Sequence, residues 1–277
     1  MERCAPLHRL RSPLVVALPS LYIPHGGGPC FFMPDPRGTW SRMEAYLRAL
    51  PASLPMAPRA ILVVSGHWEA PAFTLTGAQA HPGLIYDYYG FPPQTYELAW
   101  PAPGAPWLAE RAASLLTGAG LPAAIDPTRG FDHGVFIPLK VAFPEADVPV
   151  VQMSLHASLD PAIQLAAGAA LAPLRDEGVL VIGSGMSFHN LRAMGDPRVT
   201  APSEAFDAWL AEAIGAEPEA RSAQLARWAE APWARLVHPR EEHLLPLMVA
   251  AGASDARGTR DYGEIVLEGK VSAFRFA

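Results

Sequence analysis

Apolar residues fall along the chain in short blocks that alternate with longer stretches of helical spacing. Ala60–Val64, Val148–Gln152 and Val179–Ile182 are four- or five-residue runs rich in valine, isoleucine and leucine. Their length and branching predict strands buried on both faces, since a strand open to water on one side would alternate apolar with polar. Pro161–Leu174, Ser203–Ile214 and Glu241–Ala251 have helical spacing or composition. Short buried strands separated by helices predict an α/β protein. The terminal stretch EIVLEGKVSAFRF predicts two strands joined at Gly269, which adds an antiparallel part and makes the sheet mixed. No repeat and no glycine-serine linker divides the chain, so one domain with a central mixed sheet flanked by helices is expected over residues 20–277.

Residues 1–19 read as a separate leader. Arginines precede the apolar stretch Leu14–Leu18, as in a secretory signal, but the stretch is shorter than the roughly 7–15 residues of a signal core and Pro19 follows it. A cytoplasmic location is expected, and the chain's two cysteines, Cys4 and Cys30, provide neither a disulfide framework nor a CxxC metal site. No apolar run approaches the roughly 20 residues that span a bilayer.

Composition narrows the class. The chain has 277 residues, 50% of them hydrophobic, and a net charge of −6. That charge, with no lysine-arginine cluster, gives no field for nucleic acid or an anionic membrane, so the partner expected is a small molecule. No feature of the pattern specifies an oligomer.

Histidines stand out against this frame. His25 follows LVVALPSLYIP, His67 follows ILVVSG and His189 follows VLVIGSGMSF, each just past a strand-like run. In open α/β sheets ligands gather beyond the carboxyl ends of the strands, so these three are expected to converge. His133 lies in a glycine-flanked turn before a helix, and His243 opens the helix expected from Glu241. Any one buried histidine is more often a hydrogen-bonded core residue than a ligand, and it is the shared placement that argues for function. His8, His81, His156 and His238 lack that placement and read as structural or surface residues.

Two chemistries suit the opening HGGG at residues 25–28. It could be the oxyanion loop of a serine esterase, or it could present His25 to a metal. The esterase also needs a G-x-S-x-G elbow, and none occurs; in GSGMSFH, His189 occupies the place of the second glycine. A metal accounts for several histidines at once, because imidazole is a common ligand for iron and zinc and a spare histidine can move protons.

Six separated motifs then point the same way: HGGGP (25–29), SGHWE (65–69), IYDYYGFPPQTYELAWPAPG (85–104), DHGVFIPLKVAFPEADVPVVQMSL (132–155), GSGMSFHNL (183–191) and EEHLLPL (241–247). In this order the chain resembles the DODA-type extradiol dioxygenases of the class III, LigB-like superfamily, over about residues 20–277. Many members carry serine and proline or alanine after the first histidine-glycine; the triple glycine here departs from that, which bears on pocket shape.

The resemblance implies a LigB-like fold and a mononuclear metal held by His25, His67 and His243, with Glu242 as the reserve ligand. It implies iron(II) for turnover, with zinc(II) as another metal the site would bind. The partners it implies are O2 and a catechol-type substrate, DOPA-like or related. His189 would serve as acid and base, and in some members the equivalent histidine is close enough to be a fourth ligand. His133 would contact bound substrate or oxygen, with capping of the turn before Val135–Val141 as its plainer role. Of the aromatic residues, Tyr86 and Tyr89 are the candidates for the pocket wall. Two other readings use the same histidines: a zinc hydrolase, and a metal-binding scaffold without turnover, against which the presence of His189 argues.

Overall fold

The computed structural model describes residues 17–77 and 79–277. Its strands are β1 (Ser20–Pro24), β2 (Ala60–Ala70), β3 (Phe73–Thr76), β4 (Ala123–Asp126), β5 (Val150–His156), β6 (Val179–Gly185), β7 (Gly258–Val266) and β8 (Gly269–Phe276). They form one eight-stranded sheet in the order β4-β3-β5-β2-β6-β1-β8-β7. Its centre, β5-β2-β6-β1, is parallel. β8 runs antiparallel to both β1 and β7, and β3 antiparallel to β5. The fold is therefore α/β with a mixed sheet, as the sequence predicts.

The helices are α1 (Ser41–Ala49), α2 (Pro106–Gly118), α3 (His133–Ala142), α4 (Pro161–Leu171), α5 (Pro173–Asp176), α6 (Thr200–Gly215), α7 (Pro218–Leu225), α8 (Ala234–Val237) and α9 (Leu245–Gly252). None of them is long and apolar enough to cross a membrane. The period of two along β2 explains how they are arranged. Ala60, Leu62 and Val64 pack into a core with residues of α2, α4, α6 and α9. Ile61 and Val63 point the other way, into a second core with Val135, Phe136 and Leu139 of α3. Both faces of the central strands are thus dry, which is why they read as unbroken apolar runs.

Several boundaries differ from the sequence reading for local reasons. The helix expected over Pro161–Leu174 divides between α4 and α5, where Pro173 lacks the N–H that would continue it. The helix expected from Glu241 begins at Leu245, and every residue from Leu245 to Ala251 is buried, so it has no polar face. The strand expected to end at Val64 continues through an irregular stretch to Ala70. The terminal hairpin turns at Leu267 and Glu268, with φ of 47° and 67°, rather than at Gly269. The leader expected over residues 1–19 lies outside the described residues except for its last three. Of these, Leu18 is fully buried and its carbonyl accepts a 2.6 Å bond from Arg175 Nε.

Candidate metal centre

β2, β6 and β1 are parallel neighbours, so their carboxyl ends lie side by side. His25 is the first residue after β1, and its N–H donates to Gly185 O at the end of β6 (3.2 Å). His67 sits within β2, in the stretch where pairing with β5 is interrupted between Val64 and Glu69. His189 follows β6 by four residues. His133 is the first residue of α3 rather than part of a turn before it.

His243 reaches the same edge on the segment before α9. Its carbonyl accepts from Tyr22 Oη (2.8 Å) and from the Met186 N–H (3.1 Å). This approach needs glycine beneath it: a Cβ on Gly66 would stand 2.8 Å from the Glu242 carbonyl oxygen, and one on Gly185 would collide with that of His243.

The result is a convergence of nitrogens. Nε2 of His67 lies 3.3 Å from Nε2 of His25 and 3.2 Å from Nε2 of His243. Two groups with ligand-like spacing meet at this point, His25–His67–His133 and His189–Glu242–His243. The contact between His67 and His243 joins them, and the Nε2 of His67 is the focus that the Nε2 atoms of His25 and of His243 both approach.

Hydrogen bonds fix the protonation of these rings. Nδ1 of His25 lies 2.9 Å from Gly26 O, and Nδ1 of His243 lies 2.9 Å from Glu242 Oε1. A carbonyl or carboxylate oxygen only accepts, so Nδ1 must carry the proton and Nε2 is left with its lone pair facing the focus. Burial, reinforced by the neighbouring histidines, pushes the pKa of His25 and of His67 well below the usual value. Burial likewise lowers His243 to about 4, against the opposing bond from Glu242. All three are neutral at pH 7, the form a metal ligand requires.

These donors fit a metal. Nitrogens bound at about 2.0–2.1 Å are separated by about 2.8–3.4 Å for angles from 90° to tetrahedral, the range in which both contacts fall. The carboxyl of Glu242, the reserve ligand, instead supports two histidines. Its Oε1 also lies 3.3 Å from His189 Nδ1, and Arg240 approaches its Oε2 at 3.4 Å. Burial alone would raise this carboxyl; the bonds from His189 and His243 outweigh that and hold it well below the usual range. The His189 ring stacks on His243 with centroids 3.4 Å apart. A groove of about 490 Å³ opens beside His189, Asn190, Arg192, Arg240 and Glu242.

His133 packs on the far side of the set, its ring centroid 3.9 Å from that of His67. Its Nδ1 is 2.8 Å from Asp87 Oδ1, a residue that spacing and motif reasoning passed over. The only signal for it was an acid inside an otherwise aromatic run. The Tyr88 ring lies 5.6 Å from the His133 ring, centroid to centroid. Tyr86 donates its hydroxyl to Leu98 O, and Tyr89 is 91% exposed, so neither of the two tyrosines expected at the pocket wall is brought against the histidines by a described contact. His238 is fully buried with Nε2 3.0 Å from Ser187 O, and His156 bonds Ser158; both stand apart from the cluster. His8 and Cys4 lie outside the described residues.

Comparison with known proteins gives the family. The family described as the catalytic LigB subunit of aromatic ring-opening dioxygenase matches residues 21–273. The dioxygenase tasH of Hapsidospora irregularis is 42% identical over 254 residues, covering 85% of this chain and 78% of that protein. The 4,5-DOPA dioxygenase extradiol of Beta vulgaris is 38% identical, covering 85% and 86%, and that of Escherichia coli K12 is 34% identical, covering 87% and 86%. The crystal structure of an uncharacterized Escherichia coli K12 protein superposes with a TM-score of 0.74 at 30% identity, covering 94% of this chain and all of that one. The chain belongs to the LigB family. It is an extradiol aromatic ring-opening dioxygenase, a class that implies a non-haem metal, an aromatic small molecule and O2.

Proposed function

We propose that the protein opens a catechol-type ring with O2 at a single non-haem iron(II) held by His25, His67 and His243. The observation that carries this reading is the approach of three Nε2 atoms, two of them fixed as bare acceptors by bonds on Nδ1. The relatives named 4,5-DOPA dioxygenase extradiol support a dihydroxylated ring as substrate. When bound, iron(II) supplies Lewis acidity that makes a phenol easier to deprotonate, and the redox capacity that oxygen chemistry requires. The same nitrogens would hold zinc(II), which lacks that redox capacity.

The chain's own residues do the rest. Nδ1 of His189 faces Glu242 Oε1 at 3.3 Å, which favours the proton on Nδ1 and leaves Nε2 to take a hydroxyl proton from the substrate and return one as the ring opens. Glu242 orients the base and one ligand together. His133 contacts the substrate or oxygen from the opposite side. Residues 20–277 form the catalytic unit, and we place the protein in the cytoplasm.

The test is to load the protein with iron(II) without air, then admit oxygen with each of a panel of catechols. Uptake of one O2 per ring, with a yellow semialdehyde product, is expected. No oxygen uptake with any catechol would contradict the reading.

A further inference from the structure

Asp87 is the carboxylate that bonds the His133 ring. It is carried between the aromatic residues Tyr86 and Tyr88, whose hydroxyls are tied to the backbone carbonyls of Leu98 and Thr95, at 2.6 and 2.5 Å. These bonds close the 86–98 loop on itself and hold its aspartate toward α3. Asp87 Oδ1 accepts twice from one residue, from the His133 backbone N–H at 2.9 Å and from His133 Nδ1 at 2.8 Å. Its Oδ2 stands 3.6 Å from His67 Nδ1. The Asp87 carboxyl is held below its usual range: burial opposes this, but the bond from the His133 ring outweighs it.

The double contact has a chemical consequence. An ionised carboxylate cannot donate, so Nδ1 of His133 must carry a proton, and in the neutral ring that leaves Nε2 as the acceptor. The backbone N–H, which a helix N-terminus leaves unpaired, anchors the same oxygen and so sets the direction of the ring. The plainer role once open to His133, capping its own helix, therefore belongs to Asp87.

The same pattern occurs twice around the three histidines. His189 stacks on His243 with its Nδ1 toward Glu242, and His133 packs on His67 with its Nδ1 bonded to Asp87. We propose that Asp87 is the positioning residue of this second pair: it fixes His133 in the Nδ1–H tautomer, so that the bare Nε2 accepts a hydrogen bond from a hydroxyl of the substrate. This rests on the reading that the site takes a catechol, and adds that one hydroxyl is met by His133 while His189 serves the other. No proton need be transferred to His133 for this role.

The experiment has two readouts, of which only one depends on turnover. The first is the ¹⁵N spectrum of histidine-labelled, zinc-loaded protein, with His133 assigned by its loss in His133→Ala. Wild type and Asp87→Asn should show the Nδ1–H tautomer, because the amide oxygen of asparagine can accept both bonds. Asp87→Ala should show a mixture with Nε2–H. The second is catechol cleavage by the iron(II) protein. Asp87→Ala should raise KM about tenfold with a smaller change in kcat, as for one lost hydrogen bond, with metal content retained. Asp87→Asn should restore KM to within a few-fold of wild type. The double variant with His133→Ala should be no worse than His133→Ala alone.

An Nε2–H tautomer in wild type would overturn the proposal. So would additive losses in the double variant, or an Asp87→Asn as impaired as Asp87→Ala. A wild type that cleaves no catechol yet shows the Nδ1–H tautomer, lost in Asp87→Ala, would instead contradict the functional reading and leave the role of Asp87 in fixing the ring intact.

Discussion

Nε2 of His67 lies 3.2 Å from Nε2 of His243, although 176 residues separate them in sequence. Nε2 of His243 is bare, so this contact calls for a cation, or a proton on His67 Nε2, between the two nitrogens. A metal held by this pair and His25 would supply that cation. His25→Ala, His67→Ala and His243→Ala should each therefore lose the metal, read as metal per chain after dialysis. A variant that retains one metal per chain would remove that histidine from the ligand set.

His189 should behave differently from the three ligands. His189→Ala should keep its metal and bind catechol, yet lose turnover by about 10²–10⁴, the usual share of general acid-base catalysis. Loss of metal as complete as in His25→Ala would make His189 a fourth ligand first. Full cleavage would remove its role as base.

Metal retention should resist acid more than ordinary histidine ligands do. Protons compete with metal for the ligand nitrogens, and a histidine near 6.5 would begin to lose that competition just below pH 6.5. His25 and His67 are pushed below that value by burial and His243 to about 4, so the proton competes weakly until the pH nears 4. Affinity measured against pH should be nearly level from 7.5 to about 5 and fall below. A fall centred at 6.5 would contradict this.

Much of this site is legible in the sequence because parallel-sheet strands are continuous apolar runs. Once β1, β2 and β6 are found, the histidines that follow or end them are expected to gather. The interrupted end of β2 was not legible, since a register shift depends on the partner strand rather than on local residues. The start of α9 was obscured because Glu241 and Glu242 suit a helix N-terminus, whereas tertiary contacts draw their segment across Gly66 and Gly185. Asp87 was not legible either: its partner His133 lies 46 residues away in a different element, and neither spacing nor pattern connects them.

His238 supplies a stability prediction independent of the metal. Burial lowers it to about 3, so the folded protein excludes a proton that the unfolded chain takes up below about pH 6.5. Stability should therefore fall as pH drops from about 6.5 toward 3, and His238→Gln should lessen that slope while keeping a donor for Ser187 O. Melting temperatures across this range decide it, and identical slopes would sink the assignment.

Gly66→Ala tests the seat of His243. The added Cβ meets the Glu242 carbonyl at 2.8 Å, a backbone contact that no side-chain rotation relieves. The change should cost about 1–3 kcal/mol of stability and weaken metal binding together. Wild-type metal affinity in a folded Gly66→Ala would show that the close approach does not set the ligand.

The central claim is that these histidines form a redox metal site for ring opening, and one measurement addresses it directly. Protein loaded anaerobically with iron(II), and a matched sample loaded with zinc(II), are each mixed with oxygen and a catechol while O2 uptake and ring-opened product are recorded. The iron protein should consume one O2 per ring cleaved and the zinc protein none. Equal rates with the two metals, or cleavage by iron-treated His243→Ala as fast as wild type, would contradict the account.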